Sequence, residues 1–181
     1  MKVLSALVLS AVLCFAAAES KVSRAAILAV EHSIHEKFDS AIPVDPFYVL
    51  GDPRGTYLEG YGALFTTELN LVNDGPLNPN PFKPTITKAE ITATRERKLK
   101  NLAILRDAMR TLILNSCSTL DSLAPNERIA METILFSYSW EDNRGIPHRL
   151  FMSAEKQKLA AAKSAHAGPA ELAAVIEEQE R

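Results

Sequence analysis

The stretch "GTYLEGYGALFTTELNLV" (55–72) alternates through most of its length. Tyr57, Tyr61, Ala63, Phe65, Leu69 and Leu71 share one parity, with Glu59 and Thr67 as exceptions. Gly60, Gly62, Thr66, Glu68 and Asn70 share the other, relieved by Leu58, Leu64 and Val72. Successive residues of a strand point to opposite faces, so the pattern predicts a strand with one apolar, aromatic face and one small or polar face. Glycine inside a strand marks a bulge, a bend or a close approach. The reading is one long strand kinked near Gly60–Gly62. A tight hairpin is disfavoured, because "GYG" lacks the Asn-Gly or Gly-Gly pair of two-residue turns.

A second ribbon, "RIAMETILFSYSW" (128–140), sets Ala130, Ile134, Phe136, Tyr138 and Trp140 on one side and Ile129, Met131 and Leu135 on the other. Apolar residues on both faces predict a central strand. "EDNRG" (141–145) reads as its turn and "IPHRLFM" (146–152) as the returning hairpin partner, whose Pro147 suits an edge-side start. "FYVL" (47–50) reads as a further short strand before the turn "GDPRG" (51–55).

Helical periodicity fills the intervals. Val22, Ala26, Ile27, Val30, Ile34 and Phe38 recur at steps of three and four, the stripe of an amphipathic helix, stopped by Pro43 and Pro46. The four prolines of "NDGPLNPNPFKPTI" (73–86) predict a stiff extended connector. Thr87-Lys88-Ala89-Glu90 then spells a capping box that opens a long helix striped by Ile91, Leu99, Leu102, Leu105, Met109, Leu112, Ile113, Cys117 and Leu120, up to Pro125. At 1.5 Å per residue it would reach about 50 Å, more than a small domain covers. Its basic first turns (Arg95, Arg97, Lys98, Lys100) are therefore expected to project into solvent, or a break to divide it. Ser153 is read as the cap of a helix through Lys163, and Gly168-Pro169-Ala170-Glu171 as the start of the last helix, with proline where its missing N–H is harmless. The whole predicts an α+β domain: a small mixed sheet of about four strands packed against a long central helix and an N-terminal helix, with short C-terminal helices and a crossover between the two ribbons.

The ends and composition bound the class of function. Lys2, the apolar run from Val3 to Phe15, and Ala16-Ala17-Ala18 before Glu19-Ser20 follow the order of a secretory signal peptide. Cleavage is expected after Ala18, leaving 19–181 as a single domain with no stable membrane span, periplasmic or extracellular. The apolar stretch is shorter than the roughly 20 residues a spanning helix needs. Lys2 is the only charge lost, so 20 basic and 22 acidic residues become 19 and 22. That balance excludes nucleic acid as the expected partner. Cys14 leaves with the signal, and Cys117 alone forms no intrachain disulfide.

No motif compels chemistry. "EHSIHE" (31–36) spaces His32 and His35 as H-x-x-H-E, whereas zinc proteases place the glutamate within the pair. The reading is a solvated helix face, with no metal and no cofactor. Asp142 and His148, with Ser137 and Ser139 nearby, are the residues a hydrolase would use. Yet those serines sit in a predicted strand and not on the strained turn that hydrolases favour. Tyr57, Tyr61 and Phe65 are the candidates for a ligand groove, with a core aromatic row as the competing reading. The basic "RERKLK" (95–100) reads as a helix surface.

The segments "DPRGTYLEGYGALFTTELNLV", "RERKLKNLAILRDAMRTLIL" and "ILFSYSWEDNRGIPHRLFMSA" together resemble a group of uncharacterised exported bacterial proteins, a resemblance that implies export and architecture but no activity. The expectation is an exported, non-catalytic binding or assembly domain whose partner is a protein or envelope component. A cell-envelope hydrolase using 137–148, and self-association through the 99–120 helix, are the alternatives.

Overall fold

Ser23 opens the first helix by accepting a hydrogen bond from the Ala26 N–H at 3.1 Å, the satisfaction of an otherwise free donor that an N-cap supplies. The computed structural model describes residues 22–42, 47–73 and 86–181. The segment read as a signal peptide, the prolines at 43 and 46 and most of the proline-rich connector lie outside them. Helix α1 (Arg24–Ser40) buries Ile27, Val30, Ile34 and Phe38, each contributing roughly 1.5–3 kcal/mol. They are four of the six positions the periodicity marks.

The alternating stretch is two strands, not one kinked strand. β2 (Arg54–Leu58) and β3 (Gly62–Asn70) pair antiparallel, with Tyr57 opposite Ala63 and Leu58 opposite Gly62. Three residues, Glu59 to Tyr61, make the turn, and the Tyr61 N–H donates to the Leu58 carbonyl at 3.0 Å. Gly60 (φ 77°) and Gly62 (φ 130°) supply the left-handed backbone that closes it. The two-residue turn rule did not apply because the loop is one residue longer. Parity survives the fold-back, so Tyr57, Ala63 and Phe65 still share a face. β1 (Tyr48–Val49) pairs with the far end of β3.

Thr87 caps α2 (Lys88–Thr119) through the reciprocal box with Glu90, and this helix crosses from β3 to β4 (Arg128–Leu135), which lies parallel to β3 with Phe65 opposite Met131. β4 is flanked by β3 and by β5 (Arg149–Glu155), as its two apolar faces require, and the sheet runs β1-β3-β4-β5-β6 with β2 also on β3. The helices α3 (Lys156–Ser164) and α4 (Pro169–Val175) follow, and β6 (Glu177–Glu180) closes the sheet against β5.

Three expectations are corrected by particular contacts. Ser153 is no helix cap. It is buried inside β5, where its hydroxyl accepts from Arg128 at 2.8 Å, and α3 begins at Lys156. The second ribbon ends at Leu135; beyond it Phe136, Tyr138 and Trp140 keep their period-two spacing as a ring series, with Phe136–Tyr138 edge-on at 4.9 Å and Tyr138–Trp140 stacked at 6.0 Å. The link 136–148 is therefore a long excursion and not a tight hairpin. It lies along the first half of α2, which is why that helix neither breaks nor stands wholly in solvent. Arg95 donates to the Arg144 carbonyl at 2.9 Å. Lys98, read as a surface residue, is buried: its ammonium meets the Glu141 carboxylate and the Phe136 carbonyl, and both charged side chains are 2% exposed.

Candidate functional site

The four helices of the described residues lie on one side of the sheet. Ala63, Phe65, Thr67 and Leu69 of β3, Ile129, Met131, Thr133 and Leu135 of β4, and Leu150, Met152 and Ala154 of β5 are buried there. The register carries Leu64, Thr66 and Glu68, then Ala130, Glu132 and Ile134, then Arg149 and Phe151 to the opposite face. Among the described residues no element covers that face. Tyr48 is 41% exposed and Leu58 45% exposed upon it, and Leu64, Ile134 and Phe151 are half-buried. An apolar surface rimmed by charge is how a monomeric domain presents an interaction site.

Two depressions of about 300 Å³ each indent this face. Leu50, Gly51, Asp52, Arg54, Thr66 and Glu68 line one, with Ile134 at its side. Leu64, Glu132, Arg149, Phe151, Gln179 and Arg181 line the other. The first carries carboxylates at the β1–β2 side of the sheet, and the second carries guanidinium groups at the β6 side. Each volume is at the lower end of the range for small-ligand sites.

The residues singled out from sequence are not assembled into one site. Phe65 is fully buried in the core beneath α1. Tyr61 lies in the β2–β3 turn, 36% exposed. The Tyr57 hydroxyl donates to Glu127 Oε1 at 2.8 Å, the same oxygen that accepts from the Gly60 N–H at 3.2 Å, while Glu127 Oε2 accepts from the Ala124 N–H at 3.0 Å. This buried carboxylate pins the hairpin turn to the start of β4. Its hydrogen bond, with burial and its negative charge, raises the Tyr57 pKa above the usual 10.0. Phe65 and Tyr57 thus serve the fold, while Tyr61 stands apart from them in the turn.

Asp142 is engaged by Arg144, whose Nη2 lies 2.6 Å from Oδ2 and Nε 2.9 Å from Oδ1, with Arg95 at 3.9 Å. Those bonds lower its pKa to about 2. His148 is exposed and shares a small depression of about 100 Å³ with Ser137 and Asn143. Asp142 is not part of its lining, so histidine, serine and carboxylate are not brought together as a relay. His32 pairs with Glu36 on the outer face of α1. Among the described residues no group of three or more His, Cys, Asp and Glu side chains could hold a metal ion, and no helix is long and apolar enough to cross a membrane.

The stripe of α2 is spent within the molecule: Leu102, Leu105, Met109, Leu112, Ile113 and Cys117 are all buried in its core. Self-association through that helix would have to use its polar side. The C-terminal strand escaped sequence reading, since "EEQE" has no apolar alternation. It is held by charge: Glu178 bridges Arg106 at 2.9 Å and Arg110 at 2.7 Å, Glu180 pairs with Arg106, and Glu177 lies 2.7 Å from Arg128. Arg106 and Arg110, one turn apart on α2, were the available signal. That strand completes the second depression.

The described residues define a two-layer α+β domain with helices on one side of the sheet and, among those residues, an uncovered, charge-rimmed face on the other. No protein-family model, no curated protein and no solved structure matches the chain.

Proposed function

We propose that the chain is an exported, non-catalytic binding domain that receives a protein or envelope component on the uncovered face of its sheet. The observation that supports this reading is the contrast between the two faces: one is sealed by helices, and the other keeps Tyr48, Leu58, Leu64, Ile134 and Phe151 at least partly accessible beside two depressions. Apolar side chains left in contact with water represent stabilisation that a partner can still gain, at about 25 cal/mol per Å² covered.

Export rests on the first 18 residues, and amino-terminal sequencing of the protein from the extracytoplasmic fraction should begin at Glu19. The binding surface is tested by placing a photo-crosslinking side chain at Leu64, on the open face, or at Leu28, exposed on α1. Envelope components should be captured through position 64 and not through position 28. Equal capture at both positions, or none at position 64, removes the support for this face. No observation favours the hydrolase reading, whose Asp142 carboxylate is paired with Arg144.

A further inference from the structure

We propose that the depression between β1 and β2 binds a free α-amino acid with an apolar side chain. This goes beyond the docking of a protein or envelope component on the same face. The site originates in a mismatch of pairing along one edge of β3. The Leu50 N–H donates to the Glu68 carbonyl at 2.8 Å, continuing the β1 register, while Arg54 stands opposite Thr66. Gly51, Asp52 and Pro53 therefore face Thr67 alone, and the chain bows out of the ladder before β2 resumes. Such bulges interrupt pairing and re-aim side chains. Here the bow opens the depression of about 300 Å³ that Asp52, Arg54, Thr66 and Glu68 share with Leu50 and Ile134.

The register places the charges. The side-chain position of Gly55 points at Phe65 and Ile27 in the core, so Arg54 beside it stands on the open face with Thr66 and Glu68. Arg54 and Glu68 are diagonal cross-strand neighbours, with Cα atoms about 7–8 Å apart, and Asp52 joins them from the bow. Among the described residues, none of these three charged side chains, nor the Thr66 hydroxyl, has an ion-pair or hydrogen-bond partner. Glu132, next to Thr66 on β4, is engaged with Arg149 at 3.4 Å. The lining thus holds two carboxylates and one guanidinium, all exposed and all unmatched. Opposite signs held apart across a depression are met by a molecule that carries both.

The donors and acceptors then select the molecule. An ammonium offers three N–H donors, which the Asp52 and Glu68 carboxylates and the Thr66 hydroxyl oxygen accept. The planar Arg54 guanidinium donates to both oxygens of a carboxylate at once. An ammonium and a carboxylate on one carbon, as in an α-amino acid, suit a site of this size. The remaining substituent of that carbon lies against Leu50, 38% exposed, and the half-buried Ile134, so an aliphatic chain there removes apolar surface from water. A bare amine leaves Arg54 unmatched, and a bare carboxylic acid meets two groups of its own sign.

The test is an amide-resolved NMR titration of the purified protein with leucine. Saturable shifts are expected at Gly51, Asp52, Thr66 and Glu68, with affinity about tenfold weaker in Arg54→Gln and separately in Glu68→Gln. Both side chains are exposed, so the variants should keep the fold, and the amide shifts of the core verify it. On the unaltered protein, leucinamide lacks the carboxylate and isocaproate lacks the ammonium, and each should bind at least about tenfold more weakly than leucine. Glycine should also bind more weakly, since it forgoes the contact with Leu50 and Ile134. No saturable shift with leucine, leucinamide or isocaproate equal to leucine, or unchanged affinity in both variants overturns the proposal. Glycine equal to leucine overturns the apolar side chain.

Discussion

Replacing Lys98 by methionine tests the account of the overlong helix. The lysine ammonium and the Glu141 carboxylate are both 2% exposed, and Glu141 Oε1 is buried without a hydrogen-bond partner already. Lys98→Met fills nearly the same space and leaves a buried carboxylate with neither oxygen paired to a cation. Removing one member of such a pair costs about 3–5 kcal/mol, a large share of the roughly 5–15 kcal/mol that holds a domain folded. With a urea m-value of about 2 kcal/mol per molar, the midpoint should fall by about 2 M. The double variant Lys98→Met/Glu141→Leu removes both charges and leaves only the Phe136 carbonyl short of a donor. It should lie within about 2 kcal/mol of the parent, whereas Glu141→Leu alone should cost about as much as Lys98→Met, giving a coupling energy of about 4 kcal/mol or more in the cycle. Equilibrium urea unfolding of the four proteins measures it. If Lys98→Met alone costs less than about 1 kcal/mol, the pair is a hydrated surface contact and the packing of 136–148 onto α2 is misjudged.

Gly62→Ala should destabilise by about 3 kcal/mol or more, because its Cβ would fall 2.0 Å from the Arg128 carbonyl oxygen at a φ of 130°. Gly60→Ala, with open space around it, should cost only about 1 kcal/mol; thermal melts of the two variants separate these values. Among the four tyrosines, Tyr57 should ionise late in an ultraviolet titration, and Tyr57→Phe should abolish that late step. Since the folded state raises this pKa, the associated stability is present below pH 10.0 and disappears as pH climbs through the folded value. For Asp142 the sign is opposite: its lowered pKa of about 2 gives a contribution present above the ordinary 3.8 and lost as pH falls toward 2. Carboxyl-carbon NMR should find that midpoint, and Arg144→Ala should move it upward.

Much of the architecture could be read from residues whose local and tertiary demands agree. The Ile27–Phe38 stripe, the Thr87–Glu90 box and the doubly apolar β4 each carry one signal that packing then uses. Misreadings arose where two solutions satisfy the same pattern. Alternation is preserved by a hairpin as well as by a bend, so Gly60 and Gly62 did not disclose which they make. The period of Phe136, Tyr138 and Trp140 serves ring contacts as readily as a ladder. The charges were harder still: Lys98 and the β6 glutamates take their meaning from partners 43 to 74 positions away, which no local window contains. The second depression was invisible for the same reason, since it draws residues from four strands.

One contact at the opposite margin of the sheet limits how anything can approach. The Gly55 N–H donates to Glu31 Oε1 at 2.7 Å, and the Gly55 carbonyl accepts from Arg24 at 3.3 Å, the two side chains being themselves 3.1 Å apart. An acid and a base from α1 thereby imitate the backbone of an incoming strand and occupy its place. Neighbouring molecules cannot zip onto the ladder at that point, so this rim resists the runaway stacking to which bare strand borders are prone.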